Sequence, residues 1–228
     1  MKFQDALLSD KIFNFVDIPE NAYKDSVPFS GKFNPQYVSS IGNSAFENNI
    51  FGNILLYFPY CKSIGKRAFF RPSCDRPPRL QFNDVYVIKE DAFYVDGYNK
   101  VWGHCDLRFG NVGTIEKGAF TMNYLNTKTD ITFCDVNTIR TGAFVINMFT
   151  TDRDKGLRFK NVKYIQTGAF NGFQNSFHGV VAFENVENIA DNAFSKQNFD
   201  TLVLPDKFKT RAELVRIGVG NPDVFKID

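Results

Sequence analysis

The chain has 228 residues, 26 of them Phe, and its 27 Lys and Arg nearly balance its 25 Asp and Glu, for a net charge of +2. The charges are mixed along the whole length with no basic stripe, which argues against a nucleic-acid partner. The longest apolar stretch, Ile54 to Phe58, is far too short to span a bilayer, so no membrane insertion is expected.

Taken in chain order, Met1-Lys2 is followed by Phe-Gln-Asp-Ala-Leu-Leu-Ser-Asp, which lacks the apolar run of a secretory signal. The expectation is either that this route of export is not used or that a signal has been removed. Residues 1–30 carry no repeat and read as an N-terminal cap. Ala6-Leu7-Leu8 and Ile12 to Val16 suit a short helix and an edge segment that cover the first coil.

From about residue 31 a periodic unit takes over. Ile41, Ile64, Ile88, Ile115, Ile139, Ile165 and Ile189 are each followed, four and five residues later, by Ala-Phe. The steps between these isoleucines are 23, 24, 27, 24, 26 and 24 residues. A fixed period in the twenties predicts a solenoid of stacked coils. Three residues before each Ile stands Val, or Cys61 in the second unit. Six before it stand Phe58, Phe82, Phe109, Phe133, Phe159 and Phe183, and eight before it an apolar residue. The apolar-x-Phe part alternates with period two, which predicts a short inward-facing strand of two or three residues. Such strands pair in parallel at about 4.8 Å per repeat. Ala-Phe opens a tight return, with Ala where space is short and Phe filling the interior. About half of the Phe residues therefore belong to the architecture.

Four residues before Ile, five units carry Asp84, Asn111, Asp135, Asn161 and Asn185. Turned inward, these side chains would bond backbone groups left unpaired where the strand bends, and in register they would form a ladder. Asp84 and Asp135 lie two repeats apart, roughly 10 Å, which disfavours a shared metal ion; no metal site or cofactor is expected.

These residues resemble the leucine-rich repeats of the BspA-like family, also described from treponemal surface proteins. Val38-Ser-Ser-Ile41-Gly42-Asn-Ser-Ala45-Phe46 and Cys61-Lys-Ser-Ile64-Gly65-Lys-Arg-Ala68-Phe69 match its Val-x-x-Ile-Gly-x-x-Ala-Phe segment closely. Leu202-Val203-Leu204-Pro205 is similar to the family's last strand. The middle units differ, with Phe in place of Leu-Pro and one residue fewer before Val. The resemblance implies a β-rich, right-handed leucine-rich-repeat solenoid of seven repeats of about 23–27 residues, with parallel strands, short helical turns and capped ends. It places the solenoid at 31–205 and a C-terminal cap at 206–228. It also implies a bacterial cell-surface or secreted location and a non-catalytic binding or adhesion module.

In the C-terminal cap, Thr210 to Ile217 reads as a short amphipathic helix with Leu214, Val215 and Ile217 apolar, stopped by Gly218 and Gly220. Val224 to Ile227 reads as a last strand. Of the cysteines, Cys61 replaces a core Val and reads as a buried thiol, and Cys134 falls on an outward strand position. Cys74 and Cys105 lie in adjacent return loops, where a disulfide is a minor alternative. No nucleophile motif, phosphate loop or His-Glu-x-x-His occurs. The only histidines, His104 and His178, fall in different repeats, so no enzyme is expected.

Candidate binding residues come from two places. Seven and nine residues before Ile, side chains should point out of the sheet, which gathers Tyr57, Arg79, Asp106, Arg108, Asp130 and Arg158 on one patch. Cross-strand charge pairing is the plainer reading; a polar recognition surface anchored by Tyr57 is the sharper one. The second place is the longest return loop, where Tyr94, Tyr98 and Trp102 could stack on a sugar or peptide. Tyr98 could equally fill the interior position of Phe51 and Phe199. The expected partner is a protein or glycan, in an oligomeric state left open. A structural component of a larger assembly, such as an appendage or phage particle, is the alternative.

Overall fold

The computed structural model describes residues 15–26, 35–51, 54–71, 73–74, 79–94, 106–125, 130–148, 156–171 and 176–224. Its strands in chain order are β1 (Val16–Ile18), β2 (Val38–Ile41), β3 (Ile50–Phe51), β4 (Leu55–Phe58), β5 (Ser63–Ile64), β6 (Ser73–Cys74), β7 (Arg79–Phe82) and β8 (Val85–Ile88). They continue with β9 (Asp106–Ile115), β10 (Phe120–Leu125), β11 (Asp130–Ile139), β12 (Phe144–Met148), β13 (Gly156–Ile165), β14 (Ser176–Ile189) and β15 (Asn198–Val203). Among the described residues one α-helix, α1 (Arg211–Arg216), closes the C-terminal end.

The main sheet runs β1-β2-β5-β8-β9-β11-β13-β14-β15, with β4 on β7 and β7 on β9, and every pairing is parallel. Register keeps equivalent residues side by side: Ile88, Ile115, Ile139, Ile165 and Ile189 follow one another strand to strand. The expected solenoid is therefore the observed architecture.

The strands are longer than the two or three residues expected. In β9, β11 and β13 one strand of 10 residues runs through the apolar-x-Phe segment, the bend and the Val-x-x-Ile segment. The bend leaves two consecutive residues, Gly110 and Asn111, on the outside between buried Phe109 and Val112, so the chain turns a corner without losing its ladder. In the second unit Pro59 has no N–H to contribute, and the strand breaks there into β4 and β5. The returns are turns rather than short helices, and several lead into strands that pair in two small parallel sheets, β3 with β6 and β10 with β12.

The return turns share one cause. The residue before each Ala is left-handed: Asn21, Ser44, Arg67, Asp91, Gly118, Gly142, Gly168 and Asn192 all have φ between 51° and 67°. That conformation interrupts any helix at its first turn. The turn backbone is then satisfied by the neighbouring coil, as in Phe69 N–H to Ala92 O at 2.7 Å and Phe120 N–H to Ala143 O at 3.0 Å. One coil alone would leave these groups unpaired, so stacking is obligatory.

The core is two columns of Phe set at right angles. Along the strand column, Phe82, Phe109, Phe133, Phe159 and Phe183 stack with centroids 4.8–5.2 Å apart and rings within 10° of parallel. The Ala-Phe column repeats this from Phe46 to Phe170. Between columns the rings meet edge to face, as for Phe120 on Phe133 at 5.6 Å and 88°. The strand spacing sets the stacking distance, and the edge contacts use the arrangement that aromatic rings prefer.

The repeat register begins earlier than the sequence boundary at residue 31. Ile18 pairs with Ile41, Asn21 takes the left-handed position, and Tyr23 stacks on Phe46 at 5.2 Å, so residues 16–25 form a coil with Tyr in place of Phe. The helix proposed over 6–8 lies outside the described residues. At the other end, Thr210 caps α1 by accepting the Glu213 N–H, and Leu214 and Ile217 are buried while Val215 is exposed. Val224 ends a short 3-10 turn instead of beginning a last strand. Pro222 fixes that turn's entry, and the rest of the proposed strand lies outside the described residues.

Candidate ligand-binding groove

The outward strand positions come together in register. Arg79 lies beside Asp106, Asp106 beside Asp130, and Thr132 separates Arg108 from Arg158. Asp106 is engaged within its own strand: Arg108 Nε and Nη2 donate to its two carboxylate oxygens at 2.8 and 3.0 Å. That contact holds the Arg108 guanidinium above its ordinary pKa. The Tyr57 hydroxyl donates to Asn83 Oδ1 at 3.2 Å. Further along the same columns Gly156, Val180 and Ala182 are buried rather than outward, which narrows the polar patch to the earlier strands.

The Asx residues are where the structure departs most from expectation. They stand on the outer side of the bend and bond one another, not the interior backbone. Asn111 Nδ2 donates to Asp84 Oδ1 at 2.8 Å, Asn161 to Asp135 at 2.6 Å, and Asn185 to Asn161 at 3.1 Å. The reason is the corner itself: with Phe and Val inside three residues apart, the two residues between them are forced outward. The backbone they were expected to satisfy is already paired in the continuous strands.

This ladder forms one wall of a groove of about 900 Å³ that runs along the solenoid from Lys62 to Lys207. The opposite wall comes from residues two before Ile: Lys62, Tyr86, Gly113, Asn137, Lys163 and Glu187. Its floor is the backbone of Val85, Val112, Val136, Val162 and Val186, whose side chains point into the core. Gly113 lets the neighbouring strand approach closely, since a Cβ there would strike the Tyr86 carbonyl oxygen. At one end Lys62 Nζ sits 3.7 Å from Asp84 Oδ2 and 5.4 Å from the Tyr86 ring centre. At the other end Lys207 Nζ donates to the Glu187 carbonyl at 2.8 Å. Beside the Lys62 end, Tyr86 is 68% exposed and Tyr60 50% exposed, and Tyr60 meets Phe15 edge-on at 5.2 Å.

Tyr94 belongs to another edge. It stacks on Phe70 at 4.7 Å and 15°, and the Arg67 guanidinium lies 3.9 Å from the Phe70 ring centre. Tyr94 thus extends a structural stack along the returns. Trp102, Tyr98, His104 and Cys105 lie outside the described residues, so the aromatic platform of the long loop and the Cys74–Cys105 pairing have no structural account. The interior reading of the position five after Ala-Phe's Phe is seen in Phe51 and Phe199, both buried. Cys61 is buried with its thiol pushed up to about 12 by desolvation, and Cys134 is exposed. Among the described residues no cluster of three or more His, Cys, Asp or Glu could hold a metal ion, and no helix is long and apolar enough to cross a membrane.

Geometry of this kind defines a parallel β-solenoid that displays repeated side chains along an open groove. A family model for the BspA type leucine rich repeat region matches in six copies over residues 16–150 and 154–214, and the chain belongs to that family. The match begins at the extra coil found around Ile18. Searches of curated proteins and of solved structures return no significant match. The repeat family points to an interaction module.

Sequence reasoning passed over the groove because it assigned the Asx column to the interior. A signal was present. Between Val and Ile of each unit, the first intervening residue varies as Ser39, Lys62, Tyr86, Gly113, Asn137, Lys163 and Glu187. Such variation in an otherwise strict repeat marks a column free of the core.

Proposed function

We propose that this protein is a non-catalytic recognition module that binds a protein or glycan partner along its solenoid, displayed at a bacterial surface or secreted. The observation that carries this reading is the groove, in which a ladder of Asn and Asp side chains faces a column of varied residues, Tyr86, Asn137, Lys163 and Glu187 among them, over a continuous backbone floor. A surface built on paired strands is preorganised, so little ordering cost opposes binding. The groove is favoured over the strand patch because Arg108 and Tyr57 are engaged by Asp106 and Asn83.

The test compares two triple variants for partner capture from native surface extracts. Tyr86→Ala, Asn137→Ala and Lys163→Ala together should abolish capture with the thermal transition unchanged. Tyr57→Ala, Arg108→Ala and Arg158→Ala should leave it intact. The reverse pattern would move the site to the strand patch, and capture that survives both would remove these faces from the function.

A further inference from the structure

Resting on the interaction reading above, we propose that the groove is a subsite ladder for an unbranched, neutral glycan chain of about one sugar residue per coil. Three features of the groove select this chemistry. The first is spacing. Equivalent side chains recur at the strand separation of about 4.8 Å, close to the advance of one pyranose in an extended polysaccharide. From Lys62 to Asn185 the groove spans five such steps, roughly 24 Å. A polymer whose own repeat matches the coil can place the same hydroxyl against the same kind of side chain at each step.

The second feature is the pairing of planar polar groups with exposed aromatic rings. Asn and Asp side chains present donors and acceptors in one plane, which suits vicinal hydroxyls. Bonding along the ladder uses only part of that capacity: each Asn amide has two N–H groups, and the bonds described take one each from Asn111, Asn161 and Asn185. At the entrance, Tyr86 and Tyr60 expose ring surface to stack on the apolar face of a sugar. Tyr in such a place offers area at low conformational cost.

The third feature is charge and backbone. Lys62, Lys163 and Lys207 balance Asp84, Asp135 and Glu187, so the lining carries no net charge and gives no preference to an acidic polymer. An extended peptide would need an open strand edge, and a helical one apolar anchor pockets. Neither exists here: β9, β11 and β13 are each paired on both sides, and the valines of the floor are turned inward.

The test is isothermal titration of the full chain with neutral linear hexasaccharides of β-linked glucose, mannose and N-acetylglucosamine, and with their dimers and tetramers. One series should bind, with affinity rising from dimer to hexamer. Tyr86→Ala should weaken the hexamer about ten-fold or more, the loss expected of an anchoring aromatic, and Asn137→Ala should weaken it less. Both positions are exposed, so the fold should survive, which the thermal transition checks. No heat with any hexamer, a preference for an acidic chain such as polygalacturonate, or binding indifferent to Tyr86→Ala would overturn the inference. A surface protein captured by the native chain and lost in Tyr86→Ala, with no hexamer bound, would overturn the glycan while keeping the interaction reading. Capture of nothing by either route would sink both.

Discussion

At the scale of the residue, glycines at two different repeat positions answer to different constraints, Gly65 directly after Ile64 and Gly142 directly before Ala143. Gly65 approaches the previous coil so closely that a Cβ would lie 2.6 Å from the Gly42 carbonyl carbon, although its φ is ordinary. At Gly142 a Cβ would only touch the flexible Lys117 side chain, with Cγ at 3.4 Å, but the residue sits at φ +64°. Gly65→Ala should therefore force backbone apart and cost about 2 kcal/mol or more, whereas Gly142→Ala meets conformational strain alone, about 1 kcal/mol. Urea unfolding of the two variants measures the difference, and equal losses would contradict the distinction. Glu47 offers a pH readout. Burial by itself would raise its pKa, but the Ser44 hydroxyl, Lys24 and Arg67 together hold it below the usual carboxylate range. Lys24 Nζ and Arg67 Nη2 each lie 3.2 Å from its Oε1. A depressed folded pKa means the stabilisation is present above the unfolded Glu range and is lost as pH falls through the folded value. Glu47→Gln should cost about 1–3 kcal/mol at neutral pH and flatten the acid limb of stability against pH. The thiols differ in access as well: site-resolved alkylation of the native protein should label Cys134 and spare Cys61 until unfolding.

Among elements, the strands and returns depend on their neighbours for every feature that makes them regular. Phe133 stacks between Phe109 and Phe159 and meets Phe120 and Phe144 edge-on. Phe133→Ala should cost about 3–5 kcal/mol, and Phe133→Leu clearly less, as read by denaturant midpoint. The outer ladder makes a smaller contribution. Asn161→Asp removes the donor to Asp135 and sets two carboxylates in adjacent strands. The expected loss is about 1 kcal/mol, shrinking as the solution is acidified and the pair takes up a proton. A loss that grows in acid would mean the ladder does not act as described. At the C-terminal end, the cap of α1 rests on the Thr210 hydroxyl and on Arg216, which donates to Glu213, Asp191 and the Ile189 carbonyl. Arg216 thereby ties the closing helix to the last full coil.

For the whole molecule, each coil touches only its neighbours, so stability should behave as a chain of nearest-neighbour interfaces. Amide exchange should be slowest in β9, β11 and β13, which are paired along both edges, and fastest toward β1 and the segment after α1. Uniform protection would show a single cooperative unit instead. Protease treatment of intact native cells addresses the proposed location: loss of the chain supports surface display, and full protection until lysis would point to an internal or particle-bound component.

The sequence by itself determined the solenoid, its family and its core, because Ile, Ala-Phe and strand Phe recur at fixed offsets and each such offset corresponds to a buried site. It also marked the closing helix, through apolar Leu214, Val215 and Ile217 and the stop at Gly218 and Gly220. The first coil around Ile18 escaped notice because Tyr23 stands where Phe does elsewhere, and stacking on Phe46 is what identifies it. Strand length was likewise a tertiary outcome, since a strand through the bend exists only when the adjacent coil supplies its hydrogen bonds. The groove depended on the same corner. Two residues between an inward Phe and an inward Val must both face out, and only stacking in register turns those separate side chains into a continuous surface.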